Sequence, residues 1–333
     1  MTDLIQIIQN RILILDGAMG TMIQRHQLSE ENYRGERFKD FHQSLKGNND
    51  LLSITQPEII KEIHLDYLKA GADIIETNTF NANRISMIDY DMVDLVDELN
   101  VASAKLALEA AEEFTKQTPD KPRFVAGSLG PTNRTASISP DVNDPAFRNI
   151  DYDELVETYK QQTTSLLKTG VHAILVETIF DTLNAKAAFF GIMEAMDETG
   201  IQVPLMASGT ITDKSGRTLS GQTTEAFLIS LSHIPLLSIG LNCALGATDM
   251  IPYVEILSEN APFYVSIYPN AGLPNAFGGY DESPEIMLEN LKPMIENGWV
   301  NIIGGCCGTT PEHIKAIADF TKDFEPRKLP ELV

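Results

Sequence analysis

Cysteine is scarce in this sequence: three in 333 residues, two of them adjacent. Neighbouring cysteines cannot easily bridge each other, because a disulfide needs a particular separation and torsion. No disulfide framework follows, and the chain is read as suited to a reducing compartment, the cytoplasm. The C-x-x-C spacing of a redox pair is absent. Basic residues are also few, 25 Lys and Arg against 47 Asp and Glu, for a net charge of −22. That balance argues against nucleic acid and anionic membrane surfaces as partners. No apolar run approaches the ~18–20 residues of a membrane span. The N-terminal MTDLIQIIQNR is an amphipathic helix pattern. It lacks the basic n-region, long apolar h-region and small-residue cleavage site of a secretory signal.

What is present is a repeating alternation. Short apolar runs that end in a turn or a polar residue read as strands at Ile12–Leu15, Ala72–Glu76, Arg123–Ala126, Ala173–Val176, Val203–Ala207, Leu236–Leu241, Phe263–Ile267 and Val300–Ile303. Helical patterns separate them, several with clear ends. Thr55-Gln-Pro-Glu58 is a capping-box start with proline in the first turn, and Gly71, Gly170 and Gly200 stand where helices stop. Strands alternating with helices indicate βαβ units and a parallel sheet. Eight such units are the count of a (β/α)8 barrel, here with a short N-terminal helix. The G-x-G-x-x-G of an open dinucleotide-binding sheet is missing, since DGAMGT has the wrong glycine spacing. No low-complexity linker divides the chain, so residues 1–333 are read as one domain.

In such a barrel the active site lies at the C-terminal ends of the strands, where Asp16, Glu76, Ser128, Glu177, Ser208 and Tyr268 stand in this sequence. All three cysteines stand there: Cys243 after LLSIGLN, Cys306 and Cys307 after NIIGG. One cysteine alone is best read as a small buried hydrophobe. Three together, with Gly304, Gly305 and Gly308 permitting sharp turns, are read as thiolate ligands of one zinc ion. A structural all-cysteine site would need a fourth. Two carboxylates interrupt apolar runs at strand ends, Asp16 after ILIL and Glu177 after AILV, where an unpaired charge is costly. A turn-forming Asp-Gly pair and a rim ion pair are the plainer readings. The functional one is a site for a substrate ammonium group. The backbone N–H groups of Gly17 to Thr21, Met19 among them, and those around Thr79 could hold a carboxylate. Tyr268 and Asn270, after strand seven, are read as possible occupants of the zinc's fourth position without substrate. None of the six histidines is placed at the site. No glycine-rich phosphate loop follows strands seven and eight, which argues against a phosphate-handling barrel.

DGAMGT, ETNTF, the Glu177-Thr178 strand end, GLNC and GGCCG together resemble the homocysteine S-methyltransferases, over nearly the whole chain. Within them, AGADIIETNTFNAN and GPTNRTASISPDVNDPAFRNI look most like the homocysteine-binding module of cobalamin-dependent methionine synthase. The resemblance implies a zinc-dependent (β/α)8 barrel that methylates L-homocysteine to methionine. It carries the zinc ligands onto Cys243, Cys306 and Cys307 and the contacts to the substrate amine onto Asp16 and Glu177. It also implies methylcobalamin as methyl donor, held by the cobalamin- and folate-binding modules or on a partner subunit. A chain that stops at ELV is then expected to be a fragment or one subunit of a split enzyme. Two other readings remain open: a self-sufficient enzyme using S-methylmethionine or betaine, and a zinc-bound amino-acid-binding subunit without catalysis.

Overall fold

The computed structural model describes residues 2–212 and 215–330. Eight parallel strands form the sheet: β1 Leu13–Ile14, β2 Ile74–Glu76, β3 Phe124–Leu129, β4 Ala173–Ile179, β5 Leu205–Gly209, β6 Leu236–Gly246, β7 Tyr264–Asn270 and β8 Ile302–Ile303. They are hydrogen-bonded in the order β1-β8-β7-β6-β5-β4-β3-β2. The ring closes between β1 and β2 at a single parallel bridge, Leu15 to Ile74. The Asp73 N–H donates to Ile14 O at 2.7 Å there, and the Asp16 N–H to Ile74 O at 3.0 Å. This is the (β/α)8 barrel that the alternation implies.

Two-residue periodicity sorts the strand side chains between two cores. Ile14, Ile75, Val125, Ile174, Ile239, Ile267 and Ile303 point outward, into the apolar layer beneath the helices. Leu13, Leu15, Ile74, Phe124, Ala126, Leu175, Met206, Tyr268 and Ile302 fill the barrel. The N-terminal helix Thr2–Ile8 joins that inner core through Leu4 and Ile8, and so plugs the N-terminal mouth. β6 and β7 approach so closely at Gly240 that a Cβ there would sit 1.9 Å from Ser266 O.

The same mouth carries a charged clamp. Asp73 is fully buried just ahead of β2 and takes both Arg11 guanidinium nitrogens, at 2.7 and 2.8 Å. It also accepts the Ile14 N–H at 2.9 Å and pairs with Lys121 at 3.3 Å. One carboxylate thus ties β1 and the approach to β3 to β2. Asp73→Ala removes charge-assisted bonds and orphans a buried N–H, so the expected loss is roughly 2–4 kcal/mol of unfolding free energy. Urea unfolding measures it. A loss below about 0.5 kcal/mol, the size of an ordinary surface change, would mean that the clamp does not hold the barrel.

Several strands outrun their sequence-based ends. β3 continues through Ser128 to Leu129, β4 through Glu177 to Ile179, β5 to Gly209, β6 through Cys243 to Gly246 and β7 through Tyr268 to Asn270. The ladder carries on where the side chains turn polar, so strand residues share the lining of the C-terminal mouth with the loops.

Candidate metal and substrate site

At that mouth lies a cavity of ≈ 440 Å³. The inward register that places Ile74, Ala126 and Leu175 in the core places Glu76, Ser128 and Glu177 two residues further on, in the cavity wall. β8 does the same: Ile302 is in the core, and Cys306, four residues on, lines the cavity. Asp16, Gly17, Met19, Glu177, Cys243, Cys306 and Cys307 all line this one space. Thr79 does not. It is fully buried behind the wall, its hydroxyl bonded to Ser128 O at 2.7 Å and to the Thr77 hydroxyl at 2.6 Å. Asn270 also stands outside the lining, buried at the end of β7, with its Oδ1 unpartnered.

The three sulfurs lie within 4.8 Å of one another. Cys243 and Cys307 are 3.9 Å apart. Backbone bonds hold the cysteine pair against β7: the Cys306 N–H donates to Pro269 O at 2.8 Å, and the Ala271 N–H to Cys307 O at 2.9 Å. Gly308, at φ +81°, turns the chain after the pair and leaves room for the Tyr280 side chain, whose own Cβ a Cβ here would strike at 2.3 Å. Cys243 itself has φ 60° and Ala244 φ 58°. Left-handed backbone at residues other than glycine costs of order 1–3 kcal/mol and collects at functional sites. Here it accompanies a register break between Asn242 and Gly246 that re-aims the Cys243 side chain.

Three carboxyl groups line the same cavity as the sulfurs. Asp16 and Glu177 are buried and Glu76 partly so. Asp16 accepts the Glu76 N–H at 3.0 Å, and Glu177 takes the Ser128 hydroxyl. Burial raises all three above the ordinary carboxylate range, and for Asp16 and Glu76 the charge of Glu177 adds to it. Among the described residues no lysine, arginine or histidine lines the cavity. A fourth acid, Asp50, reaches it from the turn Asn49–Leu51. Burial lifts its pKa to about 6 against the Asn81 N–H it accepts at 2.9 Å. A carboxyl whose pKa is raised by folding stabilises fully below its unfolded value, near 3.8, and loses that contribution as pH rises through about 6. Asp50→Asn is therefore expected to raise the melting temperature at pH 7–8, with a ceiling of roughly 3 kcal/mol, and to change nothing at pH 4. An equal effect at both pH values would mean that the ionised carboxylate is not the cause.

A comparison of the chain with protein-family models matches the homocysteine S-methyltransferase model over residues 13–321. The chain belongs to the homocysteine S-methyltransferase family. Solved structures carry the same fold. The metallated form of the homocysteine methyltransferase MmuM from Escherichia coli superposes with a TM-score of 0.72 at 21% identity, covering 95% of this chain and 98% of that one. Its oxidised form gives 0.71 at 21% identity, over 93% and 96%. The chain is thus a methyltransferase of the homocysteine-methylating kind.

The homocysteine S-methyltransferase barrel here has a donor set that fits a thiophilic divalent cation. A tetrahedral ion with sulfurs at about 2.3 Å sets them roughly 3.8 Å apart, and the Cys243–Cys307 separation is 3.9 Å. Left to themselves the thiols share protons. Hydrogen bonds from Cys243 and Cys306 pull Cys307 down to about 3, while the same bonding pushes Cys306 up. Only a cation makes three adjacent thiolates stable together. Asn270, whose buried Oδ1 has no partner, is flanked by the two residues that bind the cysteine backbone.

Asn242 and Asp50 escaped the sequence reading as site residues, while Glu76 and Ser128 were read at strand ends without a role. Ser128 and Asn242 stand at inward positions of strands whose ends were drawn too early, at Ala126 and Leu241, and counting on by twos reaches them. Asp50 had no such signal, because its turn lies in a segment without periodicity. Among the described residues no helix is long and apolar enough to cross a membrane.

Proposed function

We propose that this chain prepares L-homocysteine for S-methylation to methionine, as a single zinc-dependent barrel. Cys243, Cys306 and Cys307 would hold the zinc, and Asn270 would offer its Oδ1 at the remaining position when substrate is absent. Zinc bound by three thiolates supplies a place where a substrate thiol stays ionised at neutral pH, while remaining a poor activator of water.

The chain's own residues do the rest. Asp16 and Glu177, with Glu76 beside them, take the substrate ammonium group, whose charge compensates carboxylates that no protein cation neutralises. Gly17 and Met19 line the same cavity, and their N–H groups would hold the substrate carboxylate. The observation that carries the reading is the presence, around one cavity, of three clustered sulfurs and three carboxyls that no protein cation pairs. It is the outline of a molecule with a thiol at one end and an ammonium at the other.

Methylcobalamin, carried by a partner module or subunit, is the proposed methyl donor. It rests on the likeness of ETNTFNAN and GPTNRTASISP to the cobalamin-dependent enzymes. One observation favours a second reading. An acidic cavity without cations also attracts a small cationic donor, a sulfonium or quaternary ammonium compound such as S-methylmethionine or betaine. Methionine formation by the zinc-loaded chain, given homocysteine and each donor separately, decides between them. Turnover with methylcobalamin alone supports the first reading. Turnover with S-methylmethionine or betaine overturns it in favour of the second.

A further inference from the structure

Asn242 is fully buried on β6 immediately before Cys243, and its amide bonds to β4, to β5 and to Cys306 beyond β8. Its Oδ1 accepts the Thr178 N–H from β4 at 3.0 Å and the Ser208 hydroxyl from β5 at 2.7 Å. A backbone N–H can only donate, so these bonds fix which end of the amide is oxygen. Its Nδ2 then has no choice of direction. It donates to the Thr178 hydroxyl at 2.9 Å and to Cys306 Sγ, beyond β8, at 3.9 Å. Thr178 is itself at φ 55°, in the β4 register break that follows Glu177. One amide thus braces the left-handed residue beside the substrate-side carboxylate and the left-handed Cys243, and points an N–H at the sulfur of a third residue.

We infer that Asn242 is a positioning residue for the metal centre: its N–H···S hydrogen bond to Cys306 withdraws charge from that thiolate and fixes its direction. The inference rests on the thiolate-metal reading of the three cysteines. An N–H donor to a ligating sulfur stabilises the thiolate and lowers its donation to the metal, much as hydrogen bonds around a metal ligand tune its basicity and orientation. A brace that served folding alone would need the Thr178 and Ser208 bonds but not the amide hydrogen on sulfur.

Cobalt(II) in place of zinc provides the readout, because sulfur-to-cobalt charge-transfer absorption responds to the electron density of the sulfur. Asn242→Asp keeps an oxygen for Thr178 and Ser208 and replaces the N–H facing Cys306 with an acceptor. Its charge-transfer band is expected at longer wavelength than that of the parent protein. Asn242→Ala is expected to show the same direction of shift and to lose zinc affinity by about 10- to 100-fold in chelator competition. Ser208→Ala, which only loosens the amide, should give a smaller shift and serves if the Asn242 variants are poorly folded. An unchanged band in folded Asn242→Asp or Ser208→Ala, whatever the loss in melting temperature, would reduce Asn242 to a folding brace and overturn the inference. Failure of the parent protein to show any such band would overturn the thiolate-metal reading itself, and this inference with it.

Discussion

Cys243→Ala is expected to abolish methionine formation and to strip the protein of metal, while leaving the barrel folded. Cys243 sits on a strand of eleven residues, well tied to β5 and β7. Its side chain contributes a sulfur to the cluster and little to the core, so removal costs the fold only modestly. The metal is another matter. Structural zinc sites with four ligands bind with apparent free energies of ≈ 10–16 kcal/mol, or roughly 2.5–4 kcal/mol per ligand. Losing one sulfur should weaken zinc by about two to three powers of ten. Alanine at Cys306 or Cys307 should do the same, since the three lie within one 4.8 Å cluster. Zinc content after gel filtration against a chelator measures it. A full equivalent of zinc retained by Cys243→Ala would mean that this sulfur is not a ligand.

Glu177→Gln acts in two opposite directions. Zinc should stay, because the substituted side chain is a carboxyl that takes the Ser128 hydroxyl rather than one of the three sulfurs. Homocysteine binding should weaken, since a charge-assisted hydrogen bond contributes about 1.5–3 kcal/mol, which corresponds to roughly 10- to 150-fold in KM. Meanwhile the substrate-free protein should become more stable. Burial raises the Glu177 pKa on folding. Such a group supports the fold fully below its unfolded value, near 4.5, and loses that support as pH rises through its raised folded value. At neutral pH the ionised carboxylate is therefore a cost that glutamine removes, and at pH 4 the two proteins should melt together. The same sign governs the substrate: an ammonium is held best by ionised carboxyls, so homocysteine affinity of the parent should improve as pH rises through that range. A stabilised variant that binds homocysteine poorly is the pattern of a residue kept for function at the expense of the fold. A variant that loses zinc instead would be structural.

The chain order of strands and helices was legible because each strand has an apolar run and several helices a capping or glycine signal. Pro57 and Gly71 bracket the helix Pro57–Ala70, but the expected capping box is not formed: Gln56 is the N-cap without a side-chain bond, and the Thr55 hydroxyl turns back to Leu51 O. The cysteines were legible because three sulfurs at the ends of β6 and β8 leave few other uses. Strand ends were not, for a physical reason. Apolar periodicity reports burial, and at the open mouth the inward positions are polar while the backbone ladder continues. Ser128, Glu177 and Asn242 are strand residues by hydrogen bonding and loop residues by composition. Asp50 and Tyr280 were beyond reach for a different reason. Each arrives at the cavity on a segment placed by tertiary contacts, Asp50 by the Asn81 N–H and Tyr280 by the space over Gly308. The left-handed Thr178, Cys243 and Ala244 likewise leave no mark in a one-letter sequence.

X-ray absorption at the zinc edge, on the zinc-loaded protein with and without L-homocysteine, tests most directly whether these three cysteines form a substrate-binding metal centre. The expected result is three sulfurs and one lighter donor around zinc in the free protein, and four sulfurs once homocysteine is added. An unchanged sulfur count on saturation with homocysteine would contradict it, and would leave the cysteine cluster as a metal site with no part in holding the substrate thiol.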